Sequence, residues 1–291
     1  MTSDVAVIIA SFRRPQVLAE TLDSLSRQTL PGFQVILSLT SADDCGDSAP
    51  GLEARQICLG SPGLTAQRNR GVARLDPAVR YVAFIDDDVE IAPDYLDLMK
   101  RTFEQNEKLL AFSGHVVEAR AEDRAAARAA LAQPAAAPDA ILPVRITPES
   151  GLYGCSMCVR REVLEHEKFD ERLRRYAWLE DADFGVRVRA RGPVGSSSAC
   201  RLYHLRSPQG RISGKAFGFA QIMNPFYLAR KGTLPWRQAW ISHAAKIAAS
   251  NLRGSLRNSG IIDYRGRLAG NFLAVRKLAA GRFVPEEIDN L

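Results

Sequence analysis

Tyr81-Val-Ala-Phe-Ile-Asp-Asp-Asp-Val89 decides how this chain is read. Its first five residues are apolar and rich in β-branched and aromatic side chains, the pattern of a buried strand. The run ends directly at Asp86, Asp87 and Asp88. Open α/β sheets bind ligands beyond the carboxyl ends of their strands. Neighbouring carboxylates repel one another, so three in a row call for water, hydrogen-bond donors or a cation. Hard oxygen ligands of this kind suit Mg2+ or Mn2+ shared with phosphates.

Outward from this stretch, strand and helix signals alternate. Val5-Ala-Val-Ile-Ile-Ala10 reads as a buried strand, and Pro15 then opens a helix with Val17, Leu18, Leu22 and Leu25 at helical spacing. Phe33 to Leu39 and Gln56 to Leu59 read as further strands, separated by a polar loop over 40–53. Gly63 to Arg74 reads as a helix entered through the turn Gly60-Ser-Pro-Gly63. The alternation predicts an α/β fold with a mostly parallel sheet. Beyond it, Pro93 opens a helix, Leu109–Val117 and Leu152–Arg160 read as strands, and the Ala-rich stretch 119–140 as a short surface helix and a connection. Glu180 to Arg191 starts another helix after Trp178. From Gly214 the pattern is helical almost to the end, with breaks expected at Pro235 and near Arg253-Gly254.

The bulk numbers fit this reading. The chain has 291 residues, 46% of them hydrophobic and 25% charged, enough for one large α/β domain with an appendage. No apolar stretch approaches the ~20 residues that span a bilayer. The run at Val5 is short for a signal-peptide core and has no basic segment before it, so a cytoplasmic protein is expected. Five scattered cysteines include Cys155-x-x-Cys158, but no second pair completes a zinc set. Buried, reduced thiols are therefore expected.

Net charge is unevenly placed. Residues 1–200 carry 24 basic and 29 acidic side chains (24 − 29 = −5), and residues 201–291 carry 15 and 4 (15 − 4 = +11). Trp236, Trp240, Ala244 and Ile247 share helical spacing, as do Tyr264, Leu268, Phe272 and Val275, amid arginines and lysines. Such faces either pack on the rest of the protein or a second subunit, or lie on an anionic membrane.

The motifs in order resemble family 2 glycosyltransferases. They are Val5-Ala-Val-Ile-Ile-Ala-Ser-Phe-Arg-Arg-Pro15, Gly63-Leu-Thr-Ala-Gln-Arg-Asn-Arg-Gly71, Phe84-Ile-Asp-Asp-Asp-Val89, Gly154-Cys-Ser-Met-Cys, Phe169-Asp-Glu, Trp178-Leu-Glu-Asp-Ala-Asp, and Asn224 with Arg230-Lys231. The resemblance covers residues 4–231. It implies the GT-A fold: a Rossmann-like, mostly parallel central sheet flanked by helices, here with a helical C-terminal extension. The implied organisation is a catalytic domain over 1–231, with a nucleotide-binding half about 1–117 and an acceptor half about 150–231, followed by a basic extension over 232–291.

The resemblance also implies residue roles. Ala10, Ser11, Phe12 and Arg13 contact the nucleotide, and Asp43 or Asp44 the base. Gly63, Arg68 and Asn69 start a helix beside the nucleotide, where a helix N-terminus favours anions. Asp86 faces the ribose or donor sugar, Asp87 supports it, and Asp88 ligates Mn2+ or Mg2+ together with Asp86 and His204. Asp181 is the general base, Glu180 orients the acceptor, and Trp178 stacks on it. A register error would exchange Asp181 with Asp183. The implied reaction is inverting transfer from a UDP- or dTDP-sugar to the hydroxyl of a carbohydrate or lipid-linked acceptor, in polysaccharide or glycolipid synthesis. The protein would be cytoplasmic or peripheral on the inner membrane face, with a homo-oligomer open and no nucleic-acid partner. The alternatives are a non-catalytic nucleotide-sugar or nucleic-acid-binding protein, or a nucleotidyltransferase. The last is disfavoured because Ala10-Ser-Phe-Arg-Arg14 lacks a Gly-rich signature.

Overall fold

The computed structural model describes residues 3–45, 52, 55–137, 140–147, 151–207, 209, 212–257 and 262–291. Of the polar loop expected over 40–53, residues 46–51 and 53 lie outside the described residues. The chain forms two compact units: Met1–Pro62, Gln67–Phe169 and Phe184–Gly210 make the first, and Gly63–Ala66, Asp170–Asp183 and Arg211–Leu291 the second.

The first unit is built on one sheet. Its strands are β1 (Val5–Ala10), β2 (Gln34–Leu39), β3 (Gln56–Leu59), β4 (Tyr81–Ile85), β5 (Val89–Ile91), β6 (Ala111–Glu118), β7 (Val144–Arg145), β8 (Ser156–Arg160) and β9 (Val194–His204). Their order is β3-β2-β1-β4-β8-β6-β9-β5, with β7 pairing with β9. Successive strand residues face opposite sides. Val5, Val7 and Ile9 of β1 therefore enter one core and Ala6 and Ile8 the other. Both faces are covered, which is why the strands read as unbroken apolar runs.

The first core is closed by α1 (Pro15–Ser26) and, beyond α2 (Leu64–Val72), by α3 (Tyr95–Gln105). Pro15 occupies the first turn of α1, where its missing N–H is no loss. Leu18, Leu22 and Leu25 of α1 and Leu96, Met99 and Phe103 of α3 fill this side, with Phe103 stacked on Tyr81 at 5.1 Å. The opposite core gathers Phe84, Met157 and Phe169, with Val163 and Leu164 of α5 (Arg161–His166) and Phe184 and Val188 of α6 (Glu180–Arg189).

Parallel pairing holds from β3 to β4. Past β4 the sheet becomes mixed. Ile85 lies opposite Ser156, so β8 enters at the carboxyl end of β4 and runs antiparallel to it and to β6. The long segment between β6 and β8 returns the chain to that end, and direction follows. The strand expected from Leu152 begins only at Ser156.

The Ala-rich stretch forms α4 (Arg124–Leu131), and its docking explains its place. Arg124 and Arg128 of α4 and Arg27 reach the buried carboxylate of Glu90 at 2.9, 2.9 and 2.5 Å. A buried carboxylate needs such partners, and the three guanidiniums supply them. All five cysteines are free and buried. Burial pushes the Cys158 thiol up to about 12.

The second unit is helical. α7 (Gly214–Lys231) starts at Ser213, whose hydroxyl accepts the Ala216 N–H at 3.1 Å, and it ends at Gly232 in the left-handed region. Pro225 lies inside this helix without ending it. A π-helical turn (Gln238–Ala245) leads into α8 (Lys246–Arg257), followed by α9 (Tyr264–Ala279). The break expected near Arg253-Gly254 does not occur, because α8 runs through it. Gly254 lies against the Tyr264 ring, where a Cβ would approach to 2.5 Å, so the glycine serves close packing there.

Candidate active site

Asp86, Asp87 and Asp88 form the turn between β4 and β5. Thr21 of α1 fixes that turn: its hydroxyl donates to the Asp87 carbonyl at 2.7 Å and accepts the Val89 N–H at 3.1 Å. β9 pairs with β5 so that His204 is opposite Val89. The same residue is opposite Glu118 of β6. These registers set a ligand atom each of Asp86, Asp88 and His204 within 4.8 Å of one another. Two carboxylate oxygens and an imidazole nitrogen are a donor set that fits a divalent cation of the Mn2+ or Mg2+ kind.

The surroundings of each member differ. His204 Nε2 is 3.2 Å from Asp88 Oδ1, and the Ser207 N–H donates to Asp88 Oδ2 at 2.9 Å. Burial by itself would raise the Asp88 pKa, but His204, Arg14 and the Ser207 N–H outweigh it and hold the carboxyl below its ordinary value. Burial would likewise lower His204, yet Asp88, Asp86 and Glu118 raise it to about 9. Asp87 points elsewhere. Its oxygens take the Ser11 hydroxyl at 2.6 Å and Arg14 Nη1 at 2.8 Å, and burial pushes its pKa up to about 6 despite Arg14. Asp87 thus ties the turn to the end of β1, while Asp86 and Asp88 face the cluster.

The other residues named from sequence fall into distinct settings. Ala10 ends β1, and Ser11 follows, buried, with its carbonyl accepting the Gln67 amide at 2.8 Å. Arg13, stacked over Phe12, has a left-handed φ of 54°. Its N–H donates to Asp44 Oδ1 at 3.0 Å, and Asp44 Oδ2 takes the Thr40 hydroxyl at 2.6 Å. Asp44 is therefore a buried clasp on the β1 end, while Asp43 is exposed. Arg68 is buried and donates to the Gly154 carbonyl at 2.9 Å and to Asp86 at 3.3 Å. Asn69 exchanges two hydrogen bonds of 2.9 Å with the backbone of Phe169.

In the second unit, Gly63 has a φ of 138° that suits glycine. Arg175, Ala177 and Leu179, none of them glycine, have φ values of 57°, 51° and 71°. Left-handed non-glycine residues are uncommon, and three alternating ones store strain directly before Glu180 and Asp181. Between them Trp178 packs edge-on to Phe217 at 5.7 Å, and its carbonyl accepts the Asn224 amide at 2.9 Å. Glu180 is buried and Asp181 half-buried. Asp183 is fully committed to structure, bound to Lys231 at 2.8 Å and to the Thr233 hydroxyl at 2.7 Å.

Residues 6–167 match the profile of glycosyl transferase family 2. The chain belongs to that family. A search of curated protein sequences found no match. Among solved structures the chain is similar to TarS of S. aureus at 14% identity and a TM-score of 0.51, covering 79% of this chain and 40% of that one. The chain thus spans less than half the length of that TarS structure. It is also similar to TarS 1-349 at 15% identity and a TM-score of 0.50, covering 97% of this chain and 92% of that one. At such identities the likeness speaks for the fold, which is GT-A.

Sequence reasoning missed three residues around this family 2 site: Arg14, Glu118 and Tyr153. Arg14 bridges Asp87 at 2.8 Å and Asp88 at 3.6 Å. Glu118 backs His204, and the Tyr153 hydroxyl donates to Glu118. A strand-end carboxylate in β6 was the available signal for Glu118; for Tyr153 there was none.

Proposed function

We propose that this glycosyltransferase moves a sugar with inversion from a UDP- or dTDP-sugar to an acceptor hydroxyl, in a metal-dependent single displacement. The observation that carries the reading is the convergence of Asp86, Asp88 and His204 on one cation-sized space at the carboxyl end of β4. A cation held by these residues would supply positive charge to offset that of a departing diphosphate. Asp86, Asp88 and His204 hold it, and Asp87 and Arg14 stiffen the turn that carries them. Asp181 takes the proton from the attacking hydroxyl. Between Asp181 and Asp183, the binding of Asp183 by Lys231 and Thr233 favours Asp181 for that task. Glu180 orients the acceptor and Trp178 offers it a ring. Ser11, Phe12 and Arg13 receive the nucleotide, with Asp43 toward the base, and residues 1–231 act as the catalytic portion.

The acceptor is a carbohydrate or lipid-linked saccharide, and residues 232–291 bring the enzyme to an anionic membrane surface. Trp240, Ile241, Leu252, Leu256, Phe272 and Val275 are all at least half exposed. Residues 232–262 carry Arg237, Lys246, Arg253 and Arg257 and no acidic side chain. Exposed apolar side chains amid unopposed positive charge suit a lipid interface. Among the described residues no helix is long and apolar enough to cross a membrane.

Release of UDP or dTDP from a panel of nucleotide sugars tests the reaction. It should require Mn2+ or Mg2+ and vanish in Asp88→Ala; release that is indifferent to metal overturns the reading. Flotation with phosphatidylglycerol vesicles tests the surface. Binding should exceed that to phosphatidylcholine and fall in Trp240→Ser/Leu256→Ser, and equal binding to both lipids contradicts it.

A further inference from the structure

We propose that Glu118 is a positioning residue of the cation site, acting through His204 and itself held by Tyr153 and Arg206. This inference rests on the reading that Asp86, Asp88 and His204 hold a divalent cation.

The geometry begins in the sheet. β6 and β9 run parallel with Glu118 opposite His204, so the two side chains share one face. His204 Nδ1 is 3.2 Å from Glu118 Oε2, while its Nε2 is 3.2 Å from Asp88 Oδ1. The imidazole is thus spanned, with a carboxylate at each nitrogen. Nε2 is the nitrogen beside Asp88, a member of the cluster that Asp86 completes. A carboxylate that accepts the Nδ1–H fixes the tautomer and leaves the Nε2 lone pair to a cation. It also sets the ring plane and makes the nitrogen more basic.

Glu118 is itself anchored. The Tyr153 hydroxyl donates to one of its oxygens and Arg206 Nε to the other. Arg206 reaches it from a left-handed backbone, φ 45°, at the first bend after β9. The same bend brings the Leu205 N–H to the Asp88 carbonyl at 2.8 Å and the Ser207 N–H to Asp88 Oδ2 at 2.9 Å. One short turn therefore aims Asp88 and fixes the support of His204 together. Glu118 and Arg206 are substantially exposed, so their pairing contributes little to stability by itself. Positioning is the role that this arrangement serves.

Binding of Mn2+ alone, followed by the EPR signal of the free ion, tests the inference on the full chain. Glu118→Ala should weaken binding about 10- to 100-fold, and Glu118→Gln, which keeps an acceptor for Nδ1–H, should recover part of the loss. Tyr153→Phe should weaken it several-fold by the same route. In a His204→Ala background, Glu118→Ala should have no further effect. Wild-type affinity in Glu118→Ala, or an equal loss with and without His204, overturns the positioning role while leaving the cation site intact. Failure of the unaltered chain to bind Mn2+ overturns the cation reading and this inference with it.

Discussion

Arg14 Nη1 lies 2.8 Å from Asp87 Oδ1, and the same nitrogen is 3.6 Å from Asp88 Oδ2. Arg14 precedes α1 and is mostly buried beside two mostly buried carboxylates. Removing one partner of such a pair leaves an uncompensated charge in a poorly solvated place. Arg14→Met is therefore expected to lower stability by about 3–5 kcal/mol. Urea unfolding monitored by tryptophan fluorescence measures it, and a loss under ~1 kcal/mol contradicts the role.

Asp181 and Asp183 should separate by phenotype. Asp181 is half-buried and its carboxylate takes the Ala182 N–H at 2.8 Å, whereas Asp183 is buried on Lys231 and Thr233. Asp181→Asn is expected to cut transfer by about 100- to 10,000-fold with little change in unfolding. Asp183→Asn is expected to destabilise by about 3 kcal/mol or more. Full transfer by Asp181→Asn would remove it as the base.

The Asp170–Lys231 pair gives an acid limb to stability. Burial pushes the Asp170 pKa up, but hydrogen bonds from Lys231 and Tyr227 and the Lys231 charge hold it below its ordinary 3.8. A carboxylate lowered on folding contributes stability that is complete above its unfolded pKa and lost as pH falls through the folded one. The loss should thus appear below pH 3.8, not near neutrality. Lys231→Met should flatten that limb, as urea titrations across the acid range would show; an unchanged slope counts against the pairing.

His243 acts in the opposite part of the scale. Burial lowers its pKa from 6.5, and its Nε2 has no hydrogen-bond partner among the described residues. As pH falls through 6.5 the unfolded chain takes a proton that the native site resists, so stability declines. His243→Phe should remove that decline in thermal melts at mildly acidic and neutral pH. A decline that persists in the variant assigns it elsewhere.

How much was legible follows from the physics of each element. β1, β2 and β4 announce themselves because strands covered on both faces are continuous apolar runs. Asp86 to Asp88 announce the site because charge at such a strand end needs a reason. Glu118 reads in sequence only as a strand-end carboxylate, since its meaning arises when β6 and β9 pair in register with His204. Arg14 reads as one of two equivalent arginines, and only the backbone turn at Arg13 sends it toward Asp87. The reading of α8 at Gly254 failed for a related reason. A glycine in a helical pattern marks either a break or a close neighbour, and here the Tyr264 ring is that neighbour.

Thermal denaturation of the chain with UDP and dTDP, each with and without Mn2+, tests most directly whether Asp86, Asp88 and His204 hold a cation for a nucleotide diphosphate. A ligand at about 100 times its dissociation constant adds about 2.7 kcal/mol of apparent stability, a readily measured shift. The account predicts that one diphosphate stabilises the protein only when Mn2+ is present and that Asp88→Ala abolishes the shift. Stabilisation that needs no metal, or that survives intact in Asp88→Ala, would contradict it.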